Sequence, residues 1–300
     1  QLPFAYDPTA QAPQFGAYLD RVLPDPSLQH ILGEFTGWIF TRQHPKLEKA
    51  LFLYGTGANG KSVFFEVLNA LLGANNVANY SLKSLTEEKG YYRATLASKL
   101  LNCTAETGGT MESHFFKTLV SGEPVEARLP YGVPLTLRLT TKFMFNCNEL
   151  PRDVEHNTGF FRRFLIVPFE VTIPEAERDT DLPRRIIATE LPGILNWALV
   201  GLERLLNQGQ FTQSEKVREM EATFRRESDS VASFIDEEGY LPNPDRPIPQ
   251  KELYELYRAW CAGEGCPPVR GRNFGKRLKS LNVETAKRNI GQVVFLSRAA

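Results

Sequence analysis

The sequence of 300 residues predicts an α/β fold with a mainly parallel sheet, preceded by a small helical unit and followed by a region of helices and a hairpin. The sheet is predicted because short apolar runs alternate with amphipathic helical patterns, which is typical of strands joined by crossover helices. The apolar runs lie at residues 51–54, 100–105, 142–147 and 164–169, and the helical patterns lie at 61–72, 111–120 and 191–206.

A small helical unit is predicted before the sheet. Apolar residues recur at helical spacing on both sides of the stretch PDPS, residues 24–27, with Ser27 as the predicted N-cap of the second helix. Residues 1–46 are therefore predicted to form an N-terminal helical unit. The chain begins at Gln1 rather than methionine, which indicates a fragment of a longer protein.

The C-terminal third predicts a different architecture. The proline-rich stretch LPNPDRPIP, residues 241–249, predicts a linker, and residues 214–236 before it predict one charged connecting helix. After the linker, two helical patterns precede VETAKRNIGQVVFLS, which predicts a hairpin with its turn at 289–291. Helices followed by a hairpin are the outline of a winged helix. The predicted division is 1–46 for the N-terminal helical unit, 47–210 for the α/β domain, and 211–300 for the connector and winged-helix domain.

The composition indicates a globular protein and leaves its partners open. Lysine plus arginine equals aspartate plus glutamate, at 35 each, so net charge favours no class of partner. Cys261 and Cys266 form a C-x4-C pair without a second Cys/His pair nearby, which favours reduced intracellular thiols over structural zinc. No apolar run approaches the roughly 18 residues of a membrane span, and no signal-peptide pattern is present, so a soluble protein is expected.

The stretch GTGANGKS, residues 55–62, matches G-x-x-x-x-G-K-[ST] and predicts a phosphate-binding loop between a strand and a helix. A helix N-terminus presents unpaired N–H groups, and glycines let the backbone approach phosphate oxygens closely. Lys61, expected in a solvent-facing loop, would neutralise the β- and γ-phosphates of ATP, and the Ser62 hydroxyl would ligate Mg2+. The alternative is a glycine-rich structural turn. The predicted nucleotide contacts are Gly55, Thr56, Gly57, Ala58, Asn59, Gly60, Lys61, Ser62 and Val63.

Further polar positions are candidates for hydrolysis. Glu106, after the run LLNCTA, is predicted to ligate Mg2+ and to polarise or orient water; the alternative is an exposed carboxylate at a strand end. Asn148, after KFMFNC, is predicted to position water or sense the γ-phosphate, although asparagine also favours a turn before Pro151. Arg162 and Arg163 precede the run FLIVPF, and either is predicted to stabilise the charge of a phosphoryl-transfer transition state. The alternative for the arginines is a surface ion pair.

Five stretches in order resemble one family. GTGANGKS, AETGG, FFKTLVSGEPVEAR, KFMFNCNELP and GFFRRFLIVPF are similar to the Walker A, Walker B, B-prime, sensor-1 and arginine-finger motifs of the superfamily 3 helicase domain. This domain occurs in phage and plasmid primase-helicases and in related large DNA virus proteins, and the resemblance covers about residues 14–169. The sequence departs from the family pattern in having a single acid at the Walker B position and Glu123 where aspartate is common.

The resemblance implies a mechanism and partners. It implies an AAA+ P-loop ATPase core that uses ATP and Mg2+, a ring-shaped homo-oligomer, expected to be a hexamer, and a DNA substrate. ATP would lie between subunits, so that the loop, Glu106 and Asn148 act in cis while Arg162 or Arg163 reaches the neighbour's γ-phosphate. It also implies a preceding primase or primase-polymerase domain and, for a phage or plasmid gene, the cytoplasm of a bacterial host.

Two regions are predicted to contact DNA. Residues 123–142 contain two β-prone runs around a proline-bearing turn, which predict a hairpin; in this family such a hairpin projects into the ring channel, where single-stranded DNA would lie. The C-terminal region is locally basic, and its second helix beside a hairpin is suited to duplex DNA. The alternatives are surface solvation for the first region and protein contacts for the second. The candidate contacts are Lys117, Arg128, Arg138 and Lys142 in the first region and Lys276, Arg277 and Lys279 in the second.

The function predicted from these motifs is an ATP-dependent DNA translocase and helicase. The alternative is a nucleotide-switched replication initiator or DNA-loading module with little unwinding. A small-molecule kinase would leave the paired arginines, the sensor strand and the basic C-terminal region without a role.

Overall fold

The computed structural model describes residues 1–42, 45–105, 111–151, 156–266, 268–289 and 291–298. The chain divides into two compact units: residues up to 151 and from 157 to 221 form the first, whereas His156 and the residues from 222 onward belong to the second. The division of the chain after residues 46 and 210 stays a prediction.

A parallel sheet lies at the centre of the first unit. The strands of this unit are β1 (Ala50–Tyr54), β2 (Val77–Ala78), β3 (Leu101–Thr104), β4 (Val125–Arg128), β5 (Pro134–Leu137), β6 (Lys142–Cys147) and β7 (Phe164–Pro168). Five of them form the sheet in the order β2-β3-β6-β1-β7, and every pairing in it is parallel. The strands β4 and β5 form a separate antiparallel pair. The predicted α/β fold with a parallel sheet is thus confirmed.

Both faces of β1, which lies between β6 and β7 in the sheet, are buried. Leu51 and Leu53 belong to the apolar core that also contains residues of the helices, such as Phe64. The intervening Phe52 packs against a cluster of rings on the other face, with centroid distances of 5.1 Å to Phe145 and 4.6 Å to Phe164. Alternation of side chains along the strand explains this split, and burial on both faces explains why β1 is apolar throughout.

Helices surround the sheet. They are α1 (Pro13–Val22), α2 (Pro26–Ile39), α3 (Lys61–Leu72), α4 (Leu82–Thr86), α5 (Tyr91–Ala94), α6 (Ser113–Val120), α7 (Thr158–Phe161), α8 (Leu182–Thr189), α9 (Leu191–Gln208) and α10 (Glu215–Glu227), the last of which continues past residue 221. The N-cap of α2 is Asp25 rather than the predicted Ser27, because the Asp25 carboxylate accepts a hydrogen bond of 2.9 Å from the Ser27 backbone N–H. Pro26 then occupies the first helical position, where its missing N–H costs nothing.

Glycines let α2 and α9 pack at close range. A Cβ added to Gly201 would lie 2.2 Å from the backbone carbon of Gly33, and one added to Gly37 would lie 2.3 Å from the Ala198 carbonyl oxygen. Only the absence of a side chain permits these backbone contacts.

We therefore expect Gly201→Ala to lower the free energy of unfolding by about 3 kcal/mol, because the added methyl group forces α2 and α9 apart. Urea denaturation measures this change. Gly16→Ala in α1 is the matched control, since nothing lies within 4 Å of the added Cβ; it should leave stability unchanged or raise it by about 0.5–1 kcal/mol. Equal stabilities of the two variants would contradict the packing argument.

The second unit consists of helices and short antiparallel strands. After the end of α10 it contains α11 (Ser230–Glu237), β8 (Tyr240–Pro242), β9 (Ile248–Pro249), α12 (Gln250–Gly263), α13 (Gly271–Ser280), β10 (Thr285–Arg288), β11 (Gly291–Val294) and β12 (Leu296–Arg298). The strand β11 pairs with both β10 and β9, and β12 pairs with β8. Phe234, Tyr257, Phe274 and Leu278 are buried in its core. The predicted pair of helices and the hairpin are present.

Two predictions about this region are wrong. The single helix predicted over 214–236 is two helices, because α10 ends at Glu227 and Asp229 caps α11 by accepting from the backbone N–H of Val231, at 3.1 Å. The proline-rich stretch predicted as a linker contributes β8 and β9, which pair with strands of the same unit.

Within the described part of the chain, no helix by itself has the length and apolar character needed to cross a membrane. The segments Glu175–Thr189 and Leu191–Gln208, which meet at a bend of 81°, satisfy that length and composition requirement only when taken together.

Candidate functional site

The glycine-rich loop, residues 55–60, joins the carboxyl end of β1 to α3. Its backbone is left-handed at Gly57, with a φ of 116°, and at Gly60, with a φ of 86°. A Cβ added to Gly55 would lie 2.2 Å from Nδ2 of Asn59. Glycine at these positions therefore allows the loop to fold tightly over the start of α3.

The loop presents unpaired backbone donors. Among the described residues, no protein acceptor receives a hydrogen bond from the backbone N–H groups of Thr56 to Ser62. The helix α3 begins at Lys61 without a side-chain cap, and Ser62 is exposed beside its first turn. Unpaired N–H groups and partial positive charge at a helix start form a binding site for an anion.

Lys61 is buried, so its predicted position in a solvent-facing loop is wrong. Its Nζ donates to the Gly55 carbonyl at 2.6 Å and to Asn59 Oδ1 at 2.9 Å, and burial lowers the pKa of its ammonium group. Asn59 in turn donates from Nδ2 to the Phe169 carbonyl at 3.0 Å. The glycines permit a tight backbone path, and this path closes the loop over Lys61. The burial of Lys61 depends on that three-dimensional path, so the local sequence did not reveal it.

The helix α1 packs against the end of the glycine-rich loop at Gly60. The Tyr18 hydroxyl donates to the Gly60 carbonyl at 2.9 Å, and a Cβ added to Gly60 would lie 2.7 Å from Val22 Cγ1. This contact was missed at the sequence level. The available signal was that Tyr18 falls on the apolar face of α1 with Phe15 and Val22.

The strand β6 brings Asn148 next to the loop. The Gly55 N–H donates to the Cys147 carbonyl at 3.2 Å, and Asn148 is the following residue, exposed at the carboxyl end of the strand. The strand β3 lies on the other side of β6, where Thr104 pairs with Phe145. Glu106, two residues beyond Thr104 in the sequence, lies outside the described residues, so its role stays a prediction.

The arginines lie at the amino-terminal ends of the sheet strands, whereas the loop lies at their carboxyl-terminal ends. Arg162 and Arg163 immediately precede β7, and this strand is in register with β1 from the Ala50–Phe164 pair to the Tyr54–Pro168 pair. At about 3.3 Å per residue, the two edges are separated by about 13 Å along the strands. The structure therefore brings Asn148 to the loop but does not bring the arginines to the loop of the same chain.

The two arginines have different environments. The Arg162 side chain is 59% exposed, and its Nη2 lies 2.6 Å from Oε2 of Glu48. The Arg163 side chain is only 9% exposed, and its guanidinium donates to Ser121 Oγ at 2.6 and 3.1 Å and to the Gly159 carbonyl. The donors of Arg163 are committed to protein acceptors, which disfavours Arg163 as the catalytic arginine, and the choice between the two arginines stays a prediction. Arg162 is the arginine available to an external group.

The predicted hairpin before Asn148 is present as β4 and β5, with Arg128 paired to Pro134 at the end nearest the turn. Large apolar side chains are exposed at its tip, and Tyr131 is fully exposed in a left-handed backbone conformation. The sequence-based prediction for this hairpin named only basic residues, so the apolar tip was missed. The sequence feature that could have indicated the apolar tip was a tyrosine between proline and glycine in the predicted turn. The exposed tip residues are Leu129, Tyr131 and Val133.

The basic residues around the hairpin differ in exposure. Arg128 and Arg138 are exposed, and Arg128 donates from Nε to the Gly132 carbonyl at 2.9 Å, which holds it beside the turn. Lys117 is half-buried in α6. Arg128 and Arg138 thus remain candidates for phosphate contacts.

Lys142 is buried, an environment that disfavours its predicted contact with DNA, which stays a prediction. Its Nζ lies 4.2 Å from the centroid of the Trp38 ring and donates to the Thr140 carbonyl at 3.2 Å. Burial lowers the pKa of Lys142 from 10.5 to about 8.

This shift predicts a pH-dependent effect on stability. Unfolding restores the ordinary pKa, so the unfolded chain binds this proton more tightly, and the cost of burying the ammonium group is relieved as pH rises from about 8 to about 10.5. We expect Lys142→Met to raise the free energy of unfolding at pH 7 by up to about 3 kcal/mol, with a smaller gain at pH 10. Urea titrations at both pH values measure it, with the exposed Lys83→Met as control. A gain independent of pH would contradict the assignment.

In the second unit, the basic helix α13 has both exposed and paired side chains. Lys276 and Lys279 are exposed. Arg277 is mostly buried, and its Nη1 lies 3.2 Å from Oδ1 of Asp229, the residue that caps α11. This internal ion pair disfavours the predicted DNA contact at Arg277, which stays a prediction. Other exposed basic residues on α13 and the adjacent segments are Arg270, Arg272, Lys287 and Arg288.

Two family profiles match parts of this chain. The profile described as Family of unknown function (DUF5906) matches residues 53–163, which include the glycine-rich loop, the hairpin and both arginines. The profile described as Poxvirus D5 protein-like matches residues 226–298, which include α11 to β12.

The chain is also similar to proteins of large DNA viruses. It is 24% identical over 272 residues to "Putative helicase L207/L206" of Acanthamoeba polyphaga mimivirus, covering 81% of this chain and 28% of that protein. It is 23% identical over 302 residues to "Putative helicase 022R" of Frog virus 3 (isolate Goorha), covering 91% of this chain and 30% of that protein. The chain spans less than a third of the length of the curated relatives it matches.

Solved structures of the NrS-1 C-terminal region share the fold. The A-form apo structure aligns with a TM-score of 0.56 at 14% identity and covers 100% of this chain and 77% of that chain. A second A-form apo structure of the region aligns with a TM-score of 0.51 at 15% identity and covers 99% of this chain and 77% of that chain. The chain therefore has the α/β fold with a parallel central sheet found in the NrS-1 C-terminal region, and residues 226–298 are similar to the Poxvirus D5 protein-like profile.

Proposed function

We propose that this chain is the motor portion of an ATP-dependent DNA helicase, with an AAA+ core in the first unit and a winged-helix domain in the second. The observation that carries the proposal is the loop of unpaired N–H groups at the carboxyl edge of a parallel sheet, combined with an exposed arginine at the opposite edge. The helicase names of the viral relatives support the same function. The resemblance to primase-helicases also supports a primase domain elsewhere in a longer protein, acting in the host cytoplasm.

The loop is proposed to bind the triphosphate of ATP. Its N–H groups would donate to phosphate oxygens, and the Lys61 ammonium, which donates to the Gly55 carbonyl and Asn59, would exchange those acceptors for the phosphates. The exposed Ser62 hydroxyl fits a Mg2+ ligand, because Mg2+ usually takes few protein ligands and keeps waters and phosphates. Glu106 is the proposed second ligand. Bound Mg2+ would neutralise charge that develops on the phosphates.

The active form is proposed to be a ring with ATP between protomers. Arg162 is separated from the loop of its own chain by the length of the strands, so a transition state at that loop needs an arginine from elsewhere. A neighbouring copy would supply it, while Asn148 would position the water in cis. Repetition of one such head-to-tail contact closes a ring when the rotation allows it, and a hexamer is the expected size.

The hairpin is proposed to hold single-stranded DNA in the ring channel. Tyr131 would stack on a base, whereas Arg128 and Arg138 would contact phosphates. The exposed Lys276 and Lys279 on α13 would contact duplex DNA through its phosphates.

The test is the ATPase rate with and without single-stranded DNA, measured alongside strand displacement on a forked duplex. The motor predicts strong stimulation and displacement, and Tyr131→Ala should weaken DNA affinity by about tenfold while basal hydrolysis persists. Tyr6→Ala, another exposed tyrosine of the first unit, is the control and should retain DNA stimulation. Slow turnover that ignores DNA, without displacement, would contradict the motor and favour the nucleotide-switched initiator.

A further inference from the structure

Glu48 contacts both arginines at the amino edge of the sheet. Its Oε2 lies 2.6 Å from Arg162 Nη2 and 3.5 Å from Arg163 Nη2, and its Oε1 lies 3.4 Å from Lys46 Nζ. The Glu48 side chain is 21% exposed, much less than that of Arg162. One partly buried carboxylate thus balances three cations, one of which is the exposed arginine.

The backbone of Glu48 is strained. Its φ is 50°, in the left-handed region that residues with side chains rarely adopt. It is fixed close to the start of β1, where the Ala50 N–H donates to the Arg163 carbonyl at 2.8 Å. Such strain persists only where surrounding structure imposes it, and it is common at functional sites. Ala58, Tyr131 and Asn282 share this left-handed conformation, so the strain at Glu48 supports a functional role only together with its contacts to the two arginines.

The contacts of the two arginines are unequal. The guanidinium of Arg163 donates to Ser121 and to the Gly159 carbonyl as well as lying near Glu48, so its position depends less on Glu48. In the described part of the chain, Glu48 is the one side chain that pairs with the Arg162 guanidinium. The Arg162–Glu48 ion pair is partly exposed, and pairs near the surface contribute little net free energy, so Arg162 can exchange Glu48 for another anion.

We propose that Glu48 is a positioning residue that acts as the resting partner of Arg162. It holds the guanidinium in the isolated chain and loses it to the γ-phosphate of ATP bound by an adjoining protomer. The γ-phosphate carries more negative charge than a carboxylate and can accept two hydrogen bonds from a guanidinium, whereas Glu48 contacts Arg162 through one Oε2–Nη2 pair, and both differences favour the exchange. This inference rests on the proposed function. It adds that Glu48 controls when Arg162 engages the ATP of the adjoining protomer.

The test uses Glu48→Gln, which keeps the shape of the side chain and removes its charge. Because Arg162 no longer has to leave a carboxylate, kcat/KM for ATP should rise about two- to fivefold. The protein concentration for half-maximal assembly with a non-hydrolysable ATP analogue should fall by the same factor, as measured by sedimentation. In an Arg162→Ala background, Glu48→Gln should leave assembly unchanged. An unchanged or lower kcat/KM, or an equal effect on assembly without Arg162, would overturn the inference.

The matched control is Glu221→Gln. Glu221 also forms a partly exposed ion pair, with 3.4 Å between its Oε1 and Lys49 Nζ, and it should have no effect on kcat/KM or assembly. An equal effect of Glu221→Gln would overturn the specific role of Glu48. Full activity of Arg162→Ala would instead refute the proposed function. Loss of activity in Arg162→Ala together with unchanged kinetics in Glu48→Gln would refute this inference alone.

Discussion

Lys61→Ala is expected to lower the rate of ATP hydrolysis by at least about 10²- to 10³-fold, because it removes the cation proposed to stabilise charge on the phosphates. The same substitution leaves the Gly55 carbonyl and Asn59 Oδ1 without their donor. Since these acceptors are buried, we also expect a loss of about 1–3 kcal/mol in the free energy of unfolding. Steady-state hydrolysis and urea denaturation measure the two effects separately.

The control for Lys61 is Lys83→Ala, which removes an exposed lysine of α4 in the same unit. It should keep both hydrolysis and stability. The assignment of the loop would be wrong if folded Lys61→Ala protein hydrolysed ATP at the rate of the unmodified protein.

Arg162→Ala is expected to keep nucleotide binding and to lose about 10³- to 10⁵-fold in hydrolysis, the usual contribution of an arginine finger. Binding should persist because Arg162 lies at the opposite edge of the sheet from the loop of its own chain. Fluorescent-nucleotide titration and single-turnover hydrolysis separate these properties.

Two other arginine variants sharpen this prediction. Arg184→Ala removes a highly exposed arginine of α8 and should behave as the unmodified protein. Arg163→Ala should instead lower stability, because it unpairs Ser121 and Gly159 in a buried setting. If Arg162→Ala lost nucleotide binding and hydrolysis together, a role confined to the neighbour's site would be excluded.

Much of the fold was predictable because local signals agreed. The apolar run before the loop, the glycines within it and Gly73 after it predicted β1 and the bounds of α3, and the six-residue apolar run KFMFNC coincides with β6. In each of these elements, most of the apolar residues are buried. Local composition therefore sufficed to find them.

The remaining site details depend on contacts between residues distant in sequence. The burial of Lys61 follows from the path of the loop, and the difference between Arg162 and Arg163 follows from Ser121 on another helix end. Two adjacent arginines in a sequence carry no signal of which one points inward. Asp229 is a preferred N-cap residue type, but the charged residues that precede it, Arg225 to Glu227, made the two helices look like one.

The most direct test of the account mixes Lys61→Ala protein with Arg162→Ala protein, each inactive alone. If the site is shared, an interface between an intact loop and an intact arginine forms wherever the two variants meet in the right order. In an equal random mixture about one interface in four should then hydrolyse ATP. The account predicts that hydrolysis returns on mixing and rises with total protein concentration. Failure of any ratio of the two folded variants to hydrolyse ATP, under conditions in which they assemble together, would contradict it.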